Sequence, residues 1–417
     1  MSFVLLLHFF HLSENSYNIY VFPPFLLHKS KDDYQAMKAV VIAALLLASA
    51  VPLVDAAPKW HQLEGYSFDQ YKKDFGKQYS GSEDSVRRSA FEARLAEIKA
   101  HNTRNPAPSW RMGVNKMTDM NDVELKSFRG RVHHSEQGPL YTSGAVKSTG
   151  RQGGLSGKAI PASVDWRNTG VLTAVKDQGH CGSCWAHAAT EAIESQMAIK
   201  TGQLYVLSQQ QITSCVPNPN DCGGTGGCMG GTAELAYDFL STTSGITEEW
   251  MYPYTSYFGD VGQCKLNQTG VKPFVQVNGY TLTKRNDPTA LMDAIANYGP
   301  LAISVDASTW YKYESGIFTG CDYSKNITMD HAVQVAGYGH DSTLNMDYWL
   351  VRNSWSASFG EAGFIRLFKE PAGTAAQCGW DNQWVTIGGG CKGESQDVWS
   401  CGQCGILYDT LFPNVVV

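Results

Sequence analysis

Cys184 is the residue of this 417-residue chain whose surroundings best suit nucleophilic chemistry. It lies in the run Gln178-Gly179-His180-Cys181-Gly182-Ser183-Cys184-Trp185-Ala186, where a pattern begins that predicts a helix from an N-cap at Ser183 to about Lys200. Unpaired N–H groups and the positive end of a helix dipole stabilise an anionic sulfur, and a nearby imidazolium lowers the pKa of the thiol further. The sequence therefore predicts a thiolate nucleophile at Cys184.

His331 and Asn353 are the downstream residues that could complete such a site. His331 lies in Met329-Asp330-His331-Ala332-Val333, and Asn353 lies in Asn353-Ser354-Trp355. A thiol, an imidazole and an amide can act as nucleophile, base and orienting group. Together the three residue types indicate covalent catalysis through sulfur.

At these residues the chain resembles the papain-like cysteine proteases and, within them, the cathepsin L-like group. Cys181-Gly182-Ser183-Cys184-Trp185 matches the signature of that family, and His331 lies within the interval expected downstream of it. Asn353 lies somewhat beyond that interval, which we interpret as a difference in loop length, because Phe359-Gly360-Glu361 follows in the expected order. The resemblance implies an α+β fold of two subdomains, a helical half and a β-barrel-like half, with nucleophile and base on opposite walls of a cleft.

The resemblance assigns a role to each site residue. Cys184 attacks the peptide carbonyl as a thiolate, and His331 takes up the thiol proton and donates it to the leaving amine. Asn353 orients the His331 ring, and Trp355 shields the hydrogen bond between them from water. The side-chain N–H of Gln178 and the backbone N–H of Cys184 stabilise the developing oxyanion, and such donors contribute roughly 3 kcal/mol each.

Substrate-binding residues are also implied by the resemblance. Gly230-Gly231 matches the segment that pairs with an extended substrate, since glycines let two backbones approach closely. The S2 pocket, which holds the second residue before the cut (P2), is then lined by Thr232, Ala233, Ser304, Met329 and Gln383. Most of these side chains are small or apolar, so we expect an apolar residue at P2. Acceptance of basic residues stays open, because Gln383 lies where the family pattern is interrupted.

Two motifs upstream of the catalytic region resemble the inhibitory propeptide of cathepsin L-like zymogens, which is of the I29 type. The first places side chains on one helical face, at Glu83, Arg87, Phe91, Ile98 and Asn102. The second follows at Gly113, Asn115 and Asp119. Arg94 and Met117 replace the residues that the family uses at their positions. A propeptide of this kind lies across the cleft and blocks substrate until it is removed.

These features divide the rest of the chain. A segment rich in Gly and Ser is expected to be a flexible, cleavable linker, and Ile160-Pro161-Ala162-Ser163 resembles the family's mature N-terminus. The predicted segments are an inhibitory propeptide at 57–132, a linker at 133–158, and a peptidase domain at 159–417 with a helical half at 159–270 and a β half at 271–417.

The N-terminal region has the pattern of a targeting sequence. Met37-Lys38, an apolar run to Ala50 and small residues near Ala56 predict a signal peptide at 37–56, so residues 1–36 are interpreted as an upstream extension. A membrane anchor is the alternative, although neither apolar run reaches the ~18 to 20 residues that span a bilayer. We expect entry into the secretory pathway and delivery to a lysosome-like compartment or to the outside of the cell.

Composition limits the partners. The chain is 43% hydrophobic and 17% charged, with a net charge of −6, which is ordinary globular usage and provides no basic patch for nucleic acid. The expected partners are protein and peptide substrates, the chain's own propeptide and cystatin-like inhibitors. We expect a monomer without metal, cofactor or a stable membrane span.

Eleven cysteines in an oxidising compartment should mostly pair, and an odd number leaves one thiol. Cys184 accounts for that thiol. By resemblance, Cys181 pairs with Cys228, and Cys215 with Cys264. Cys321 has two candidate partners: spacing from Gly363-Phe364-Ile365-Arg366 favours Cys378, whereas the family's usual C-terminal ending favours Cys404.

An insertion at about 379–403 explains this ambiguity. It carries Cys391 and Cys401, and with Cys222 and whichever of Cys378 and Cys404 remains it supplies cysteines for two additional disulfides. A zinc site is the competing interpretation, because Cys401-Gly402-Gln403-Cys404 has ligand-like spacing. A thioredoxin-type pair at Cys181 and Cys184 would leave the distant His and Asn unexplained.

Two further alternatives concern function. A catalytically inactive papain-like binding protein would be expected to lose Cys184, His331 or Asn353, and the chain retains all three. It shows no insertion with paired histidines and no aminopeptidase-type mini-chain, so an endopeptidase is expected. Asn267 and Asn326 begin glycosylation motifs that would be used in a secretory route.

Overall fold

The computed structural model describes residues 9–13, 16–20, 57–130, 149–268 and 270–417. Strands β1 (Phe9–Ser13) and β2 (Ser16–Tyr20) pair antiparallel in a unit of their own, and residues 57–417 belong to a second unit. The predicted signal peptide, the rest of the predicted extension, residues 131–132 of the predicted propeptide and residues 133–148 of the predicted linker lie outside the described residues.

The propeptide region is built on two helices that cross a short strand. They are α1 (Phe68–Asp74) and α2 (Ser82–Asn102), followed by β3 (Trp110–Met112) and α3 (Asp122–Ser127). The side chain of Ser67 accepts the Gln70 N–H and caps α1, while Asn121 and Glu124 form a capping box at α3. These caps satisfy N–H groups that a short helix would otherwise leave unpaired.

Helix α2 carries the predicted motif face into the core. Phe91 and Ile98 are fully buried, and Asn102 bonds to both the N–H and the carbonyl of Met112 in β3. Arg94, which departs from the family pattern, donates to the carbonyl oxygens of Met117 and Thr118. The Arg94 guanidinium therefore joins α2 to the segment that carries the second motif.

The helical half contains α4 (Cys184–Thr201), α5 (Gln209–Cys215) and α6 (Ala233–Thr242). Helix α4 is buried on all sides over most of its length and ends at Gly202, whose φ of 74° favours glycine. Ser183 occupies the N-cap position as predicted, but its hydroxyl does not cap the helix and lies instead 2.7 Å from the Tyr254 hydroxyl.

The β half is one mixed sheet in which the propeptide takes part. Besides β3, the strands of this sheet and its helix are β4 (Arg151–Gln152), β5 (Val164–Asp165), β6 (Gln276–Leu282), α7 (Pro288–Asn297), β7 (Leu301–Val305), β8 (Tyr313–Phe318), β9 (His331–Asp341), β10 (Met346–Arg352), β11 (Phe364–Lys369) and β14 (Thr410–Val416). The strand order is β3-β8-β11-β10-β9-β7-β14-β6-β4, and β5 pairs with β9. The predicted α+β fold, a helical half against a β half behind a helical propeptide, is confirmed.

Buried charges join the two halves behind the sheet. Arg352 of β10 lies 3.3 Å from Glu191 of α4, and Lys176 lies 2.7 Å from Glu194 one turn further along. Arg352 and Glu191 are almost fully buried. Removing one member of such a pair leaves an uncompensated charge in the interior, so these contacts fix how α4 lies against the sheet.

Five disulfides use every cysteine except Cys184. Cys181 is joined to Cys228, and Cys215 to Cys264.

The third family bridge joins Cys321 to Cys404, so the spacing argument that favoured Cys378 was wrong. Cys378 pairs instead with Cys401 across a hairpin of two strands, β12 (Cys378–Asp381) and β13 (Val398–Cys401). The zinc interpretation is wrong as well, because both of its proposed thiols lie in disulfides. Among the described residues no cluster of His, Cys, Asp and Glu could hold a metal ion.

The described end of the predicted linker is not free chain. The Thr149 hydroxyl donates to Asp238, and the Ser156 hydroxyl donates to Asp293. Between them, β4 pairs in parallel with β6. Residues 149–158 therefore pack on the peptidase domain, because hydroxyl groups of this segment donate hydrogen bonds to carboxylates there.

Candidate active site

Cys184 begins α4, and its side chain is fully buried beneath the propeptide. Its thiol donates to the carbonyl oxygen of Arg129 at 3.2 Å. Gly130 lies so close that a Cβ there would be 2.8 Å from the sulfur, and its φ of +75° is a second reason for glycine. The propeptide backbone thus covers the thiol that a substrate carbonyl would have to reach.

His331 begins β9 in the other half and is fully buried. Its Nε2 lies 2.9 Å from Asn353 Oδ1, which also accepts the Ser354 N–H at 2.8 Å. Because an amide oxygen only accepts, Nε2 carries the proton and Nδ1 is the ring nitrogen that can take up another. The amide thereby sets the tautomer that proton exchange with a thiol requires.

Trp355 lies over the imidazole. The two ring centroids are 4.9 Å apart, and Phe359 meets the indole edge to face at 5.2 Å. With Trp355 only 1% exposed, water has little access to the His331–Asn353 hydrogen bond. This is the placement that the predicted shielding role requires.

His187 is a second buried histidine and lies on the helix that begins at Cys184. Its Nδ1 lies 2.9 Å from the Ser183 carbonyl oxygen, and burial lowers its pKa to about 3. A base this weak does not take a proton from a thiol near neutral pH. His331 is therefore the better candidate for the base.

Gln178 is fully buried at the cleft, and its amide points at the propeptide. Its Nε2 donates to the carbonyl oxygens of Phe128 and Cys181, each at 2.9 Å, while its Oε1 accepts the Ser354 hydroxyl. The indole N–H of Trp355 donates to the same Phe128 oxygen at 3.0 Å. A propeptide carbonyl thus occupies the donor predicted to serve the oxyanion.

Arg129 shows that the predicted residues meet at one place. Its carbonyl oxygen accepts the Cys184 thiol, and its guanidinium lies 3.2 Å from the carboxylate of Asp330, the neighbour of His331. One propeptide residue therefore contacts both walls of the cleft. Cys184 and the neighbour of His331 therefore contact the same short segment.

Gly230 and Gly231 lie against the propeptide backbone and the Trp185 ring. A Cβ on Gly230 would be 2.1 Å from the Gly130 oxygen, and a Cβ on Gly231 would be 2.8 Å from the Trp185 ring. A side chain at either position would push the propeptide or the indole away. The glycines therefore permit a backbone to run close along this wall.

The predicted S2 residues are mostly buried. Ala233, Ser304 and Met329 are each less than 5% exposed, and the Thr232 hydroxyl accepts the Leu235 N–H and caps α6. Gln383 lies in the turn after β12, where its carbonyl accepts N–H groups of the following residues.

Asp409 and Glu234 are neighbours of this pocket that the sequence did not reveal. The Ser304 hydroxyl donates to Asp409 at 2.5 Å. Burial and the nearby Asp409 raise the pKa of Glu234 well above its ordinary value of 4.5. Asp409 follows Cys404 by five residues, so choosing Cys404 for the third family bridge would have drawn attention to it.

Asp381 is a third acidic residue that the sequence did not indicate. It is fully buried at the end of β12 and accepts the Met329 N–H at 3.0 Å. Through this bond the insertion supports the segment that leads into His331.

Comparison with known proteins decides the family. The model of the papain family cysteine proteases matches residues 160–387, and that of the cathepsin propeptide inhibitor domain (I29) matches residues 68–125. The chain belongs to the papain family of cysteine proteases. It is a protease zymogen with a cathepsin-type propeptide, and the catalytic match ends inside the insertion.

Relatives of this papain-family protease cover most of its length. Fruit bromelain of Ananas comosus is 34% identical over 318 residues, 75% of this chain and 83% of the relative. A cathepsin L-like protein of Caenorhabditis elegans is 34% identical over 329 residues, 78% of this chain and 93% of the relative. The solved digestive procathepsin L 3 of Tenebrio molitor larval midgut is 27% identical with a TM-score of 0.63, over 83% of this chain and 97% of that one.

Proposed function

We propose that the mature enzyme hydrolyses peptide bonds by a Cys-His-Asn thiolate mechanism, as an endopeptidase. Cys184 is the nucleophile, His331 exchanges its proton, Asn353 orients His331, and Gln178 donates to the oxyanion. The observation that supports this most is that the segment Phe128–Gly130 contacts Gln178, Trp355 and Cys184 and also Asp330, the neighbour of His331. A segment so placed excludes substrate from the reacting atoms.

Chemistry then follows from the geometry. With Nε2 held by Asn353, the Nδ1 face of His331 takes the thiol proton, and the thiolate at the start of α4 attacks the carbonyl carbon. The oxyanion accepts the Gln178 N–H that the Phe128 carbonyl occupies in the zymogen. The protonated imidazole then gives its proton to the leaving amine, and water releases the acyl group from sulfur.

Localisation and partners complete the proposal. We propose passage through the secretory pathway to a lysosome-like or extracellular site, a monomeric enzyme, and control by cystatin-like inhibitors as well as by the propeptide. Asn267 and Asn326 are exposed, which glycosylation requires. Among the described residues no helix has the length and hydropathy to cross a membrane.

Acid should release the propeptide, and Glu124 is one of the groups responsible. Burial alone would raise the pKa of this carboxylate, but hydrogen bonds from Arg87 and from the Asn121 N–H outweigh it and hold the pKa below 4.5. The Arg87–Glu124 pair therefore stabilises the propeptide fully above about pH 4.5, and this stabilisation is lost as the pH falls through the lowered pKa.

For Glu124→Gln we expect the zymogen to become active at a higher pH than the wild type, because the ion pair is absent at every pH. The measurement is peptide hydrolysis after incubation across a pH series. Glu92→Gln is the matched control, because Glu92 lies on the propeptide helix α2 and its side chain is exposed. Equal activation midpoints for the two variants would contradict the role given to Glu124.

The S2 pocket is proposed to prefer an apolar P2 residue and also to accept arginine. Ala233 and Met329 provide apolar walls, and the Asp409 carboxylate behind Ser304 provides a partner for a cation. In a fluorogenic panel that varies P2, processed wild-type protein should cleave leucine substrates best and arginine substrates measurably. Absence of thiol-dependent cleavage across the panel would overturn the proposed function.

Asp409→Asn is expected to lower kcat/KM for arginine at P2 about tenfold, since one charge-assisted hydrogen bond is worth about 1.5 kcal/mol. The leucine substrate is the internal control, and its kcat/KM should change little. A parallel fall for both substrates would mean that Asp409 supports the fold and does not select P2.

A further inference from the structure

The insertion reaches from the β half to the opposite wall of the cleft. We call residues 382–397, between β12 and β13, the strap. Cys391 in the strap is joined to Cys222 in the loop between α5 and α6, with their Cα atoms 3.9 Å apart. The disulfide therefore connects the helical half to the β half covalently.

Backbone hydrogen bonds flank that disulfide on both sides. The Gly223 N–H donates to the Gly390 oxygen at 3.1 Å, and the Lys392 N–H donates to the Asn220 oxygen at 2.9 Å. The Lys392 ammonium also pairs with Asp221. The backbones of the strap and of the loop are therefore in direct contact on both sides of the disulfide.

This contact lies beside the wall along which substrate is proposed to run. The Gly223 oxygen is 2.3 Å from where a Cβ of Gly230 would be, and the Gly130 oxygen is 2.1 Å from the same point. The residue after Cys222 thus touches the glycine that the propeptide backbone contacts. The resemblance implies that Gly230-Gly231 pairs with an extended substrate beside Thr232 and Ala233 of the proposed S2 pocket, so the contact lies toward the N-terminal side of the substrate.

The strap is held firmly at its base. The β12–β13 hairpin is closed by Cys378–Cys401, and Asp381 at its end accepts N–H groups of Met329 and Gln383. The Trp384 ring packs edge to face on Tyr408 at 5.3 Å and is only 6% exposed. A segment anchored at both ends and at its tip does not swing aside when a ligand enters.

We propose that the strap closes the N-terminal end of the cleft and is a specificity-determining element. Residues up to about the third before the cut fit in extended form, and a longer N-terminal portion meets the strap and is rejected. This inference rests on the proposed Cys-His-Asn chemistry and revises the endopeptidase part of the proposed function, because internal bonds far from a substrate's N-terminus become poor sites of cleavage.

The test is a length series. Fluorogenic peptides share the same two residues before the reporter and carry two, three, four or six residues in total before the cut. For processed wild-type enzyme we expect kcat/KM to fall at least about tenfold between three and six residues. A flat profile, or one that rises with length, would overturn the proposal without any variant.

A variant with a shortened strap shows whether the strap causes the decrease in kcat/KM with peptide length. Asp381 and Val398 are paired in the hairpin, so residues 382–397 can be replaced by Asn-Gly, which suits a two-residue turn, together with Cys222→Ser. The shortened variant should cleave the six-residue and three-residue peptides about equally. C222S/C391S keeps the strap but lacks the disulfide that joins it to the helical half. For this double variant the decrease in kcat/KM from the three-residue to the six-residue peptide should be smaller than for the wild-type enzyme.

C378S/C401S is the matched control, because it removes a disulfide within the β half and leaves the link between the walls. It should keep the wild-type length profile, because the β12–β13 pairing and the Asp381 hydrogen bonds still hold the base of the strap. A shortened variant that cleaves the three-residue peptide normally but still rejects the six-residue peptide would overturn the role of the strap. Absence of Cys184-dependent cleavage even of the two-residue peptide would overturn the proposed function itself, and with it this inference.

Discussion

Cys184→Ala is expected to lower kcat of the processed enzyme by about 10⁴-fold or more, because no other group on the helix can form the acyl intermediate. The residual rate would come from binding and oxyanion donors alone. The measurement is hydrolysis of a leucine P2 substrate by variant and wild type, both freed of the propeptide by the same added protease. Added processing is needed because the variant cannot cleave itself.

Cys184→Ser is the companion variant, since it keeps a hydroxyl in place of the thiol. A hydroxyl has a far higher pKa than a thiol, so the helix N-terminus and His331 should not convert it to a useful nucleophile, and activity should remain close to that of the alanine variant. Free propeptide should still bind both variants. Substantial hydrolysis by Cys184→Ala would mean that the thiol is not the nucleophile.

Phe91→Ala is expected to destabilise the propeptide by about 3 to 5 kcal/mol, the usual cost of removing a fully buried aromatic ring. The Phe91 ring lies 4.7 Å from Tyr71 and 5.5 Å from Phe68 and has no exposed surface. The α1–α2 packing that presents the inhibitory segment depends on these contacts. The zymogen should therefore lose latency near neutral pH.

Urea unfolding checks this stability loss best in a Cys184→Ala background, which prevents self-cleavage. The propeptide transition should move to lower urea while the peptidase transition stays in place. Val86→Ala on the same helix is the control, because Val86 is 62% exposed and its removal should cost little. Equal shifts for the two substitutions would show that Phe91 does not hold the propeptide together.

The sequence predicted the elements whose information is local. The helix predicted from an N-cap at Ser183 to about Lys200 is observed at Cys184–Thr201. Helix α7 has a clear local signal as well, with Asp287 as N-cap and Pro288 at its first position. Catalytic residues were found because their types and flanking residues are rare in combination.

What the sequence did not predict depends on contacts between distant residues. The partner of Cys321 could not be chosen, because the insertion makes two positions match the same family pattern. Asp409 and Glu234 look like ordinary polar residues until the fold buries their carboxyl groups side by side. Thr149 and Ser156 belong to a segment with linker composition, and only the carboxylates on the folded body explain why it packs there.

The order in which the chain is made gives the Cys222–Cys391 bridge a further consequence. Its cysteines are 169 residues apart, whereas Cys181–Cys228 and Cys215–Cys264 span 47 and 49 residues. During synthesis the short bridges can close while the β half is still being translated, but the long one must wait until almost the whole chain has emerged. A product truncated before Cys391 would expose a thiol at Cys222, so this pairing distinguishes finished molecules from incomplete ones.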